Sequence, residues 1–79
     1  MRALCMIMVK PGKVDKVVQS LRRRRKVSKE IMVVTGRADI CVMLQGSISS
    51  LNAAVIDFKK IPEIVSTETL MEVEVDMGW

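Results

Sequence analysis

Residues 31–45, Ile-Met-Val-Val-Thr-Gly-Arg-Ala-Asp-Ile-Cys-Val-Met-Leu-Gln, constrain the fold more than any other stretch of the chain. Two apolar runs rich in β-branched side chains flank a short polar segment with a single glycine. That pattern predicts a β-hairpin, with strands over 27–35 and 39–45. Gly36 supplies the backbone freedom that the turn needs. Asp39 falls at the mouth of the second strand, beside exposed backbone groups. A carboxylate there either caps the turn or holds a ligand's ammonium group. Before the hairpin the sequence reads as one strand and one helix; after it, as one helix and one strand.

Taken in order, residues 2–9 form the first expected strand. Leu4, Met6 and Met8 share one face, and Ala3, Cys5, Ile7 and Val9 share the other. Lys10-Pro11-Gly12 breaks it. A helix is expected over 13–25, where Val14, Val17, Val18 and Leu21 fall at i, i+3, i+4 and i+7. Asp15 near its start and the run Arg22 to Lys26 near its end both suit the helix dipole. Past the hairpin, Gly46-Ser47 ends the third strand, and Ser47 or Ser49 is placed to cap a second helix. That helix runs to about residue 59 on a stripe of Ile48, Leu51, Val55 and Phe58, widened by Ala54. Pro62 stops it, because the residue before a proline avoids helical geometry. The last strand is expected over 65–77. Val65, Thr67, Thr69, Met71, Val73 and Val75 lie on one face, and Ser66, Glu68, Leu70, Glu72, Glu74 and Asp76 on the other.

The order β-α-β-β-α-β predicts an α+β fold of the ferredoxin-like, split-βαβ kind. Two helices would cover one face of a four-stranded antiparallel sheet. The other face would stay bare, yet the first and third strands carry apolar side chains there. An uncovered patch of that size is abnormal on a soluble monomer. A second copy packed sheet to sheet about a two-fold axis is the simplest cover, so an obligate homodimer resembling an α/β barrel is expected.

Composition narrows the chemistry. The chain has 79 residues, two Cys, and neither His nor Tyr. Zinc sites built from clustered Cys and His are therefore excluded. Cys5 and Cys41 lie in apolar runs, where buried free thiols and a reducing, cytoplasmic compartment are the expectation. No stretch approaches the roughly 20 apolar residues of a membrane span. The apolar start lacks the small-residue cleavage site of a signal peptide and reads as a strand. No paired carboxylates show acid–base spacing, and the loop Lys10-Pro11-Gly12-Lys13 lacks the Arg of ferredoxin-like acyl phosphate hydrolases. Small monooxygenases of the dimeric-barrel type lean on His, Trp or Asn, and here only Asn52 and Trp79 are on offer. Neither catalysis nor a cofactor is expected. With Phe58 on a helix stripe and Trp79 at the end, the sheet has no aromatic platform for stacking RNA bases. There is no helix-turn-helix pair to read DNA sequence, and the basic run Arg22 to Lys26 reads first as a solvated helix end.

The segments Val33-Val34-Thr35-Gly36-Arg37-Ala38-Asp39-Ile40 and Lys59-Lys60-Ile61-Pro62-Glu63-Ile64-Val65-Ser66-Thr67-Glu68-Thr69 carry two further motifs, Thr-Gly-x-x-Asp and Ile-Pro-x-Ile-x-Ser-Thr-x-Thr. In this order they resemble the C-terminal effector domain of the Lrp/AsnC (feast/famine) regulators, the RAM domain, over nearly the whole chain. The resemblance implies one stand-alone RAM domain over 1–79 without a DNA-binding domain. It implies a dimer joined through its sheets and often assembled into rings, with an amino acid effector held between subunits. Carried over residue by residue, Gly36, Arg37 and Asp39 would meet the ligand's ammonium and carboxylate groups, and Ser66, Thr67 and Thr69 would offer hydroxyls. A zwitterion needs an anion, donors and a dry pocket. Arg37 adds a cation beside this site and Ala38 leaves it without a side-chain wall. The implied function is amino acid sensing, or assembly with full-length Lrp/AsnC regulators through the shared interface. The alternative is an interaction partner that binds no ligand; a small ferredoxin-like enzyme comes third.

Overall fold

The computed structural model describes residues 1–24 and 26–74. Six elements follow in the order β1 (Arg2–Val9), α1 (Val14–Arg22), β2 (Ser28–Val33), β3 (Ile40–Gln45), α2 (Ile48–Phe58) and β4 (Ile64–Met71). The four strands form one antiparallel sheet in the order β2-β3-β1-β4. This is the expected ferredoxin-like α+β arrangement. The two apolar-on-both-faces strands, β1 and β3, pair at its centre.

Pleating divides the sheet as the alternation predicts. Ala3, Cys5, Ile7 and Val9 of β1 and Ile40, Val42 and Leu44 of β3 are buried. They pack with Val17 and Leu21 of α1 and with Leu51 and Phe58 of α2, so the core lies between sheet and helices. Val14 and Val18 of the α1 stripe and Ala54 and Val55 of the α2 stripe pack against this cluster. Ile48, in the first turn of α2, is instead exposed. Ser47 caps α2, its hydroxyl accepting from the Ser50 N–H at 3.1 Å.

Several boundaries depart from expectation for local reasons. Helix α1 ends at Arg22 rather than at 25, and Arg25 lies outside the described residues. The Arg23 and Arg24 N–H groups donate to the carbonyls of Ser20 and Leu21, three residues back, which tightens and closes the last turn. The Arg24 side chain also folds back onto the Ser20 carbonyl, at 3.0 Å. Strand β2 spans 28–33 rather than 27–35, with a register irregularity between Ser28 and Glu30. Strand β3 begins at Ile40, the last residue that it pairs with both β1 and β2; Asp39 just before it still bonds to each neighbour through its backbone. Strand β4 begins at Ile64. A register shift opposite Met8 and Val9 pairs Ile64 with Val9, so Ile64 takes the core-facing place expected of Val65, which is exposed. β4 stops at Met71; the part of the expected strand at 75–77 lies outside the described residues.

Candidate functional site

The hairpin turn is pinned to the C-terminal end of β1. Val33 and Ile40 make the last β2–β3 pair, and the Val34 N–H closes the loop on the Asp39 carbonyl at 2.9 Å. Gly36 has φ +119°, a conformation that L side chains rarely adopt. Arg37 is exposed, while Ala38 is buried as part of the packing. The Asp39 N–H donates to the Ile7 carbonyl at 2.9 Å. Its carboxylate Oδ2 accepts from the Val9 N–H at 2.8 Å. The cause lies in strand lengths. β1 runs two residues past its last pairing with β3, at Ile7–Ile40. The Val9 N–H on that side would otherwise lack a ladder partner. Asp39 Oδ1 has no hydrogen-bond partner among the described residues.

Across β1, at the same end of the sheet, β4 pairs Ser66 with Met8 and Thr67 with Ile7. A cleft of about 330 Å³ opens there, lined by Lys59, Ile64, Val65, Ser66 and Thr67. The structure thus puts Gly36, Arg37 and Asp39 on one side of the β1 end, and Ser66 and Thr67 on the other. Thr69 lies farther in, paired with Cys5. The six residues do not share a face: Ser66 goes with Met8 on the side away from the helices, and Thr67 and Thr69 with Ile7 and Cys5 on the helix side. The Thr69 hydroxyl is buried without a hydrogen-bond partner. It lies near the Cys5 thiol, whose pKa burial pushes up and the Thr69 hydroxyl pulls down. Sequence reading did not single out Lys59; the Ile61-Pro62 stop was its only hint that the chain turns back here.

The sheet face away from the helices carries Leu4, Met6 and Met8 on β1, Cys41 and Met43 on β3, Met32 on β2 and Leu70 on β4. Met6, Cys41 and Met32 are cross-strand neighbours in one row. Glu30 and Glu68 stand on the two edge strands of this face, opposite Met43 and Met6. The Arg2–Glu72 ion pair stands at the end of the same face, which is therefore apolar at its centre and charged at its rim, the anatomy of an interface. Cys5 and Cys41 are both free thiols; Cys5 is buried and Cys41 only partly so. Among the described residues no group of three or more His, Cys, Asp or Glu converges to hold a metal, and no helix is long and apolar enough to cross a membrane.

Solved structures carry the comparison further. FFRP-DM1 superposes with a TM-score of 0.82 at 27% identity, covering 91% of this chain and 97% of that one. The chain shares its fold with FFRP-DM1 over nearly its whole length. A hypothetical protein from Pyrococcus horikoshii, PHS023, gives a TM-score of 0.81 at 26% identity, over 94% of this chain and 90% of its own. AsnC of E. coli gives 0.71 at 23% identity; this chain covers 51% of its length with 94% of its own, a likeness of fold. No family model matches the sequence, and no curated relative does. Lrp/AsnC-family proteins thus stand among the structural neighbours of this chain, in line with the resemblance of the hairpin and Ile-Pro motifs.

Proposed function

We propose that this chain is a non-catalytic regulatory module of the Lrp/AsnC kind, a homodimer closed sheet to sheet that holds a small amino acid between subunits. The observation that carries the reading is the bare apolar face of Leu4, Met6, Met8, Met32, Cys41, Met43 and Leu70, on a fold shared with FFRP-DM1. Burying that face against a twin removes its apolar side chains from water, and the charged residues stay at the rim. The effector would sit at the end of β1, which Gly36, Arg37 and Asp39 flank on one side and Ser66 and Thr67 on the other, with a second subunit closing the open side. Asp39 Oδ1 would accept from the ammonium, and Arg37 would face the carboxylate. Ser66 is the strand hydroxyl on the face that a twin would cover; Thr67 and Thr69 lie on the helix side, and the buried Thr69 hydroxyl would not reach a ligand between sheets. Residues 1–79 would act as one domain, in the cytoplasm, where Cys5 and Cys41 stay reduced. Rings of dimers and mixed assembly with full-length regulators extend the same reading.

Sedimentation and melting test it together. A dimer at micromolar concentration is expected, and a lone subunit refutes the sheet-to-sheet closure. An amino acid at 100 times its Kd adds about 2.7 kcal/mol, which raises Tm by about 10 °C or more in a domain this small. A dimer that answers to none of the common amino acids at millimolar levels favours the second reading, an interaction partner without a ligand. That reading also has an observation behind it: one Asp39 oxygen is already engaged by the Val9 N–H.

A further inference from the structure

The regulatory reading leaves most of the basic residues unused, and the fold gathers them. Residues 10–29 are rich in Lys and Arg and contain Asp15 as their only carboxylate. Three adjoining clefts surround the C-terminal end of α1. One, of about 260 Å³, separates α1 from the turn after α2 and is lined by Lys16, Ser20, Arg23, Arg24, Lys60 and Glu63 among others. A second, of about 330 Å³, has Arg24, Lys26 and Asp57 around a floor that includes Phe58. The third, of about 240 Å³, carries Arg22, Ser28, Lys29 and Glu30. Arg24 lines the first two, and Arg22 of the third stands two residues before it in the sequence.

Within this band the carboxylates are partly engaged. Glu63 pairs with Lys16 Nζ at 3.3 Å, and Asp57 with Arg24 Nε at 2.6 Å. Arg23, Lys26, Lys29 and Lys60 are all exposed and have no carboxylate partner among the described residues. Glu30, at the rim of the third cleft, pairs with none of them. Four cations without a carboxylate partner on one side of the molecule raise the local potential, and an extended anion laid along them lowers it.

We propose that this band is a contact surface for the phosphate backbone of double-stranded nucleic acid, blind to base sequence. The free cations are spread over α1, the connection to β2, β2 itself and the turn after α2, so one small anion cannot reach them all. A polymer with regularly spaced charges can. Among the described residues there is no exposed aromatic side chain for stacking single-stranded bases, since Phe58 is buried. None of the large exposed apolar side chains lines the band, so it has nothing to insert into a bilayer. A duplex, dense in charge and read only through its backbone, fits what remains.

Fluorescence anisotropy with a short labelled duplex of mixed sequence, titrated at several salt concentrations, tests the proposal on the intact protein. With one phosphate per free cation, log K falls against log salt with a slope of about −3.6, so affinity drops about 150-fold between about 50 and 200 mM salt. The pair Arg23→Gln and Lys26→Gln should halve that slope, to about −1.8. The pair Lys10→Gln and Lys13→Gln removes the same charge at the other end of α1 and should leave the slope unchanged. All four positions are exposed, and unchanged melting curves confirm that the variants are folded. Absence of duplex binding at low salt overturns the proposal. So does equal weakening by both pairs, which reports net charge alone, and so does binding to anionic phospholipid vesicles without binding to the duplex.

Discussion

Replacing Asp39 separates two roles that one side chain could hold. Its Oδ2 accepts from the Val9 N–H at 2.8 Å, in the place where the β3 ladder has already ended. Val9 is buried, so Asp39→Ala leaves that N–H without a partner in a place water reaches poorly. A hydrogen bond to a charged group contributes about 1.5–3 kcal/mol. Asp39 is itself only partly buried, so we take about 2 kcal/mol, which lowers Tm by about 8–16 °C in a domain of this size. Asp39→Asn keeps an acceptor oxygen but loses the charge, and neutral hydrogen bonds are roughly half as strong; its expected fall is about 4–8 °C. Thermal melts followed by circular dichroism check both, at one protein concentration so that association does not shift the comparison. If Asp39→Ala melts within about 2 °C of the parent, the strand-bridging bond is not a stabilising feature. If Asp39→Asn falls as far as Asp39→Ala, the oxygen is not acting as an acceptor. The same asparagine variant then tests the effector site. It retains the fold but removes the anion, so an amino acid response that survives it refutes the proposed contact with the ammonium.

Gly36→Ala should destabilise by about 1–3 kcal/mol through backbone strain, because φ is +119° while a Cβ there would meet nothing within 4 Å; a rise in Tm would refute this. Cys5 should resist alkylation in the native protein and react fully in denaturant, since it is buried and burial pushes its thiol above the ordinary value of 9.0. The folded state therefore holds a proton that the unfolded chain releases. The Cys5 contribution is complete below 9.0 and is lost as pH rises through the folded value, so Cys5→Ala should flatten the alkaline limb of the stability curve. Glu72 works in the opposite direction. Hydrogen bonds from the Arg2 guanidinium and N–H hold its carboxylate below the ordinary 4.5. Its contribution is present above 4.5 and is lost as pH falls through the folded value; Glu72→Gln should remove that part of the acid limb, by a small amount that salt screens further, because the pair is exposed.

The order of elements was legible because each stripe has a clear period. β1 and β3 could be read as central strands because both of their faces are apolar, and Ser47 and Pro62 marked the ends of α2. What escaped reading depends on pairs far apart in sequence. The Asp39–Val9 bond spans 30 residues, and it exists because β1 outlasts β3, a difference in strand length that neither strand shows alone. The end of α1 was misjudged because the basic run suits a helix terminus, while the turn is closed by backbone bonds from Arg23 and Arg24. The irregularity that exchanges Val65 for Ile64 is equally silent, since both residues are apolar and β-branched. For the site residues, alternation already separates Ser66 from Thr67 and Thr69. What it omits is that Ser66, Thr67 and the hairpin turn end up flanking the same end of β1, which follows from strand order.

That strand order also sets how the two proposed surfaces relate. The apolar face lies on one side of the sheet, and the basic band lies around the helix layer and the start of β2. Glu68 borders the apolar face on β4, away from the band, while Glu30 on β2 stands both at the rim of that face and at the third cleft, where the two surfaces meet. A twin covering the sheet would leave each copy's band on the outside. Dimerisation and duplex binding would then use separate side chains except at Glu30, and mutations elsewhere that affect one should leave the other within additivity. Met6→Glu puts a charge at the centre of the face, beside Cys41 and Glu68. It should break the dimer because a buried unpaired charge is costly. It should not change the number of phosphates that each subunit contacts. A salt slope per subunit that collapses together with the dimer would mean that the band is assembled across two copies rather than built within one.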